Sequence, residues 1–453
     1  MNSDEIPFFP PDLFEGDRKV LLNLVREIGT SRDQRFILGD RTAAFEEQLR
    51  AQLGAAGVVA CGSGTTALTL VLRAMGIGAG DEVVVPAFGC APLASSVVSV
   101  GAEPVFADID PDAMVLDPGH AEEAISPRTR AVMPAHMFSV MADMPRFAEL
   151  ADRAGLRLVE DSAVAQGAVL HGTPAGLWGE AGVFSFVQVK SFGMPGEGGA
   201  VVTRDDEIAR AVRMLRNHGQ DGRQRFVHHV VGYNSRFDEI QAAFQSYRLA
   251  GFAARLERRA GIAEYYTERF APLAEAGVVP PPAGREGRCY YVYSVQAERR
   301  DELREHLASR GIASHVYYPA PLPMQPAFSR YSAEGQRWPN AERASRRILA
   351  LPVYPHLTDA QVERIADAVC EFAGERSEAG AHAWFTASEP GLAGELVSDG
   401  EPGHGAGTAG DDEDGNGAEP QAEQDFTTDP AVAEPGPSGG GRTRADQKEP
   451  SST

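Results

Sequence analysis

Phe184-Ser185-Phe186-Val187-Gln188-Val189-Lys190 leads into Gly196-Glu197-Gly198-Gly199-Ala200-Val201-Val202. The pattern is an apolar strand, a loop that carries a lysine, a glycine turn and a second apolar strand. A lysine between two apolar strands is costly to bury unless its charge is used or its amine is made neutral. The obvious use of such an amine is imine formation; a surface lysine is the plain alternative. Base usage in the whole chain bears on that choice. Of 42 basic residues only Lys19, Lys190 and Lys448 are lysines, and the other 39 are arginines. Arginine replaces lysine on most surfaces, but its guanidinium stays protonated and cannot form an imine. The survival of a lysine is therefore informative where its place suggests chemistry, and the place of Lys190 does.

Working outward, apolar runs alternate with helical patterns, which predicts a parallel sheet with crossover helices. The expected strands are Glu82–Pro86, Pro104–Asp108, Ala131–Pro134, Arg157–Glu160, Gly182–Phe186 and Ala200–Thr203. Helices are expected over Thr65–Met75, Ala91–Val100 and Met144–Ala154, with long ones over Ile240–Arg258 and Arg259–Ala276. Tyr290–Gln296, Arg300–Arg310 and Thr358–Phe372 suggest a smaller α+β unit. Two further features carry chemistry. Leu158-Val159-Glu160-Asp161 is an apolar strand ending in two acids, and open α/β sheets bind ligands beyond the carboxyl ends of their strands. An acid there can equally cap the next helix. Gly62-Ser63-Gly64-Thr65-Thr66-Ala67-Leu68 is a glycine turn opening a helix. Its free N–H groups and helix dipole suit a phosphate, with Ser and Thr hydroxyls as extra donors, although an ordinary N-cap looks similar.

Together the three features have one economical reading, pyridoxal 5′-phosphate (PLP). That cofactor needs an imine-forming lysine, an acid beside the pyridine nitrogen and a phosphate cup. Lys190, Asp161 and the Gly62–Thr66 turn supply one each. The freed lysine amine is then the natural base for a 1,3-proton shift.

These motifs resemble those of the DegT/StrS family of PLP-dependent sugar aminotransferases, over nearly all of residues 5–373. The resemblance is carried in order by Phe36-Ile37-Leu38-Gly39, Ser63-Gly64-Thr65-Thr66-Ala67-Leu68, Gly76 to Val83, Val85-Pro86-Ala87 and Pro104 to Asp108. It continues through Glu160-Asp161, Ser185 to Gly199, Gly232-Tyr233-Asn234-Ser235-Arg236, Gln241-Ala242-Ala243, Tyr318 to Leu322 and Leu351 to Pro355. It implies the aspartate aminotransferase-like α/β fold, with a large mostly parallel PLP-binding domain over residues 1–250 and a smaller C-terminal α+β domain over 251–375. It also implies an internal aldimine on Lys190 and an Asp161 pair with the pyridine nitrogen. The phosphate would be held by Gly64, Thr65 and Ser185 with Ser63 beside them, and Asn234 would reach the phosphate of a neighbouring subunit in a homodimer. Arg236, Tyr317 and Tyr318 would lie on the substrate side. The implied reaction moves an amino group from glutamate or glutamine onto a nucleotide-linked keto sugar. Keto-cyclitol aminotransferases, aminohydroxybenzoate synthases and a non-catalytic regulatory role are the alternatives. Three positions depart from the pattern. Cys90 stands where an aromatic usually covers the ring, with Phe88 as a substitute aromatic surface. Val164 replaces a Gln or His, with Gln166 as a substitute partner for the ring hydroxyl. Tyr317 replaces a His.

Composition closes off other classes. The 453 residues carry 64 acidic and 42 basic groups, a net charge of −22, which argues against an electrostatic nucleic-acid binder. No run of about 18 apolar residues suggests a membrane span, and Met1-Asn2-Ser3-Asp4-Glu5 lacks the basic and apolar regions of a signal peptide. Cys61, Cys90, Cys289 and Cys370 lie far apart without a CxxC spacing, so neither a disulfide scaffold nor a metal site is expected. The expected location is cytoplasmic. Residues 376–453 hold 14 Gly, 7 Pro and 16 acidic against four basic residues. That segment is expected to be a disordered, solvating acidic tail.

Overall fold

The computed structural model of the chain describes residues 5–383 apart from Glu15 and Arg225, with side chains described to Gly374. Seven strands form the main sheet: β1 Gly57–Cys61, β2 Glu82–Pro86, β3 Glu103–Ala107, β4 Thr129–Val132, β5 Arg157–Asp161, β6 Ala181–Ser185 and β7 Gly199–Thr203. Their order is β1-β7-β6-β5-β4-β2-β3. All neighbours run parallel except β7, which is antiparallel to both β1 and β6. Every residue of β1, β2 and β7 is buried, as expected of strands covered on both faces by crossover helices.

The direction of β7 matters for the site. Because it runs against its neighbours, its first residue, Gly199, pairs with the last residues of two others, Cys61 of β1 and Ser185 of β6. Asp161, the last residue of β5, pairs with Val183 two places before Ser185. The ends of β1, β5 and β6 and the start of β7 thus meet at one sheet edge. The helix Gly64–Ala74 follows β1 there, so its N-terminus opens onto the same edge.

A three-stranded antiparallel sheet, β8 Val278–Val279, β9 Tyr293–Ala297 and β10 Ile348–Leu351, has its own apolar core. Tyr266, Phe270 and Tyr293 are fully buried in it, and the helices Arg300–Ser309 and Asp359–Ala383 add Leu303, Leu307, Ile365 and Val369.

Two expectations need correction. The helices expected over 240–258 and 259–276 are instead Glu239–Leu249 and Phe252–Phe270, followed by a 3₁₀ turn Ala271–Leu273. The break falls at Ala250-Gly251, where the Arg255 guanidinium sits 2.9 Å from the position a Cβ on Gly251 would take. Phe252 then turns inward onto Phe192, with ring centroids 4.7 Å apart. The last element, expected over Thr358–Phe372, is the helix Asp359–Ala383. Residues 376–383 contain no proline, so nothing there removes a donor from the backbone ladder. From residue 384 the expected tail lies outside the described residues.

Candidate active site

Lys190 sits in a tight turn beyond β6. Its N–H donates to the Val187 carbonyl and its carbonyl accepts from Gly193 N–H, both at 2.9 Å. Gly193 is required here, since a Cβ would lie 2.4 Å from the Gln188 carbonyl oxygen. The turn is tied back to the strand by Met194 N–H to the Phe186 carbonyl at 2.9 Å. Its amine lies 4.6 Å from the ring centroid of Tyr291. Burial holds the ammonium below the ordinary lysine range, against the opposing pull of Cys90, Asp161 and Glu197. A neutral amine, the form that attacks a carbonyl, is thereby favoured.

Asp161 is 3% exposed. Burial pushes its carboxyl above the usual range, while the Ala163 N–H bonded to Oδ1 at 3.0 Å, then Lys190 and His136 nearby, oppose that. Cys90 feels the same neighbours. Its thiol is pushed up to about 12, first by burial and then by Asp161, with Lys190 opposing. Cys90, Asp161 and Lys190 are therefore brought together from three separate segments. Tyr318 joins them: burial raises its phenol, and Cys90, Tyr291, Tyr317 and Asp161 all add to the shift. Burial raises the phenols of Tyr291 and Tyr317, and each of the two also bears on the other's shift.

At the glycine turn, Ser63 is a helix N-cap whose Oγ accepts from Thr66 N–H at 3.1 Å. Thr65 is exposed. The packing at Gly64 is close: a Cβ there would sit 2.9 Å from Cβ of Ser185, and one on Gly199 would sit 2.7 Å from the Gly64 nitrogen. These glycines bring the first-turn N–H groups of the helix beside the Ser185 hydroxyl. N–H groups, two hydroxyls and the positive end of a helix fit a phosphate. Lys190 and Asp161 fit the imine carbon and the ring nitrogen of PLP. The donor set suits the cofactor at all three points.

Sequence reading missed the supports of this edge. Ser235 is buried and anchors the turn: its hydroxyl accepts from Gly62 N–H at 3.1 Å and lies 2.8 Å from Thr66 Oγ1. Glu160 is fully buried and saturated by Gly176 N–H at 2.9 Å, His136 Nε2 at 3.0 Å, Trp178 N–H at 2.6 Å and Gly179 N–H at 2.8 Å. Ala142 N–H donates to His136 Nδ1 at 3.3 Å, so Nε2 bears the proton and donates to the acid. Ser235 and Glu160 stand inside quoted motifs, but nothing in their spacing tells an anchor from a ligand.

The other expected residues divide. Asn234 and Arg236 lie next to Ser235 and bond each other, Arg236 Nε donating to Asn234 Oδ1 at 3.0 Å. Phe88 does not supply a free aromatic surface: it is fully buried and stacked on Phe138 at 5.3 Å, and offers only an edge contact to Tyr318 at 6.3 Å. Its ring is consumed by the core. Val164 is buried, and Gln166 is buried with neither amide atom partnered.

The model of the DegT/DnrJ/EryC1/StrS aminotransferase family matches residues 18–370. The chain belongs to this family. Among similar DegT/StrS proteins, the dTDP-3-amino-3,4,6-trideoxy-alpha-D-glucose transaminase of Streptomyces venezuelae is 42% identical, covering 75% of this chain and 89% of its own length. A pleiotropic regulatory protein of Geobacillus stearothermophilus is 39% identical, covering 75% and 91%. The crystal structure of S. venezuelae DesV in complex with a ketimine intermediate is 40% identical, with a TM-score of 0.77, covering 82% of this chain and 99% of that one. Other solved DegT/StrS neighbours hold the cofactor in its PMP and PLP forms. The chain is thus a PLP-dependent sugar aminotransferase with the fold of that family. Among the described residues no helix is long and apolar enough to cross a membrane.

Proposed function

We propose that this enzyme transfers an amino group from glutamate or glutamine to a nucleotide-linked keto sugar, with Lys190 as the residue that carries PLP. The observation that supports it most is the convergence of Cys90, Asp161 and Lys190 beside the Gly64–Ser185 cradle, in a chain similar to nucleotide-sugar transaminases. When bound, the cofactor supplies a ring that accepts the electron pair left as a Cα–H bond breaks. The protein's residues do the rest. Asp161 holds the ring nitrogen, and a cation there offsets the cost of burying the carboxylate. Gly64, Thr65 and Ser185 would hold the phosphate. The Lys190 amine, neutral through burial, takes the proton from the substrate carbon and returns it one bond away. Cys90 and the Tyr291–Tyr317–Tyr318 group neighbour Asp161 and Lys190.

The same proposal holds that the enzyme is a homodimer in which Asn234 reaches the partner's phosphate cup, and that Arg236, Tyr317 and Tyr318 meet the sugar nucleotide. It also divides residues 1–375 into the two domains bounded at 250/251. One relative is named a regulatory protein, so a non-catalytic reading is the one to exclude. The test compares kcat/KM for nucleotide-linked keto sugars, free keto-cyclitols and small keto acids with glutamate or glutamine as donor. Preference for a free cyclitol refutes the nucleotide-sugar assignment, and no turnover by a protein that binds PLP favours the regulatory one. Mixing Lys190→Ala with Asn234→Ala chains tests the dimer: heterodimers should regain activity through one native site.

A further inference from the structure

A small cavity of 40 Å³ adjoins the lysine turn, lined among others by Lys190, Ser191, Arg248, Arg255, Arg259 and His356. Its three arginines are held only by neutral groups. Arg248 donates to the Gly193 carbonyl at 3.0 Å and Arg255 to the Arg248 carbonyl at 2.6 Å. Arg259 donates to the carbonyls of Tyr290 at 3.2 Å, Tyr291 at 3.3 Å and Val353. Among the described residues none of the three forms an ion pair, whereas Arg258, their neighbour in sequence, pairs with Asp359 at 2.7 Å. The Nε–H of each is buried without a partner. Burial and mutual repulsion push Arg248 and Arg259 down to about 10, and Asp17 pulls on Arg248 and Arg255 only from a distance.

Such an arrangement is poor for the protein by itself. Three guanidinium ions in a poorly solvated space repel one another, and each unpaired buried donor carries its own desolvation cost. An anion in the cavity would relieve both. The 40 Å³ of room is several times the ~10–15 Å³ that one water needs. It admits a small anionic group such as a carboxylate, whereas a whole nucleotide is far larger. Guanidinium forks also match carboxylates in shape. Lys190 lines the same cavity, so a carboxylate held there stays within one small molecule's length of the reacting amine.

We propose that this arginine cavity seats one carboxylate of the amino donor, a role that rests on Lys190 being the cofactor lysine. The site would then hold the donor apart from the larger sugar substrate, which meets the cofactor from elsewhere.

The test titrates the PLP-loaded enzyme with glutarate, a dicarboxylate without an amino group, and follows melting temperature. Glutarate should raise it, and Arg255→Gln should weaken the apparent glutarate affinity at least tenfold. The same variant should raise the KM for glutamate at least tenfold, with kcat and the KM for the keto sugar changed less than twofold. Arg248→Gln gives the second measurement should Arg255→Gln fold poorly. Unchanged glutarate affinity in both variants overturns the proposal. So does stronger stabilisation by inorganic phosphate than by glutarate, because the cavity would then be a phosphate site. The melting response does not require cofactor chemistry. A glutarate response lost on Arg255→Gln, in a protein with no borohydride-fixed cofactor on Lys190, refutes the assignment of Lys190 and leaves the carboxylate site standing.

Discussion

Glu160 and Asp161 are consecutive acids on one strand, and they differ in almost everything except charge. Side chains of successive strand residues point to opposite faces. Glu160 enters a shell of three backbone N–H groups and the His136 ring. Asp161 receives one backbone N–H, on Oδ1, and otherwise shares a polar patch with Cys90 and Lys190. The saturated acid is architecture: it pins the segment from Gly176 to Gly179 against β5. The undersaturated acid retains acceptor capacity for a cofactor. Burial alone does not separate them, since both are nearly inaccessible. Their hydrogen-bond inventories do.

The contrast can be broken by mutation. The largest expected effect is on the cofactor side. Lys190→Ala should lower turnover by about 10⁴-fold or more, since it removes both the covalent anchor and the proton carrier. Borohydride reduction followed by peptide mapping should find the adduct at Lys190 in the native enzyme. An adduct at Lys19 would sink the assignment. Next in size, Asp161→Asn should cost about 10²–10³-fold in kcat, on the scale of a lost electrostatic contact in a water-excluded site, with urea stability close to native.

Glu160→Gln should invert that pattern. It places an amide N–H₂ against N–H donors and removes the charge that three N–H groups and His136 share, so a loss of about 3 kcal/mol in urea unfolding is expected. Turnover per folded molecule should hold within a fewfold. If Glu160→Gln proves harmless to stability, or Asp161→Asn unfolds the protein, the division of roles is wrong.

The smallest effect is a pH slope. The Asp161 carboxyl is raised by burial, so above the ordinary carboxylate range the folded cofactor-free protein binds more protons than the unfolded chain. Its contribution to stability therefore falls as pH rises, until the raised value is passed. Asp161→Asn should flatten that part of the curve, and an unaltered slope in urea titrations of the apoprotein would remove Asp161 from this account.

Much of this could be read from the chain because its parts are local. Lys190 stood out in an arginine-rich composition, and β5 and the Gly62–Thr66 turn carry the short-range patterns that strands and helix starts need. The strand pattern also set the site at a sheet edge, since β-strands joined by crossover helices end on one side. What failed was local reading where packing decides. The helix break at Ala250-Gly251 comes from the inward turn of Phe252 and the seat of Arg255, and periodicity ran straight through it. Phe88 read as a free ring and is spent on Phe138.

By itself, then, the sequence determined the strand–helix alternation, the lysine, the acid and the glycine turn, and through them the family resemblance. Only the tertiary structure decided which of two adjacent acids is spent, that Ser235 holds the turn, and that Arg248, Arg255 and Arg259 share a cavity with Lys190. The reason is physical. Secondary structure follows from propensities and periods that act over a few residues, whereas a polar group's availability depends on every donor or acceptor that folding brings within about 3 Å of it. Those partners lie far away in the chain, and no spacing announces them.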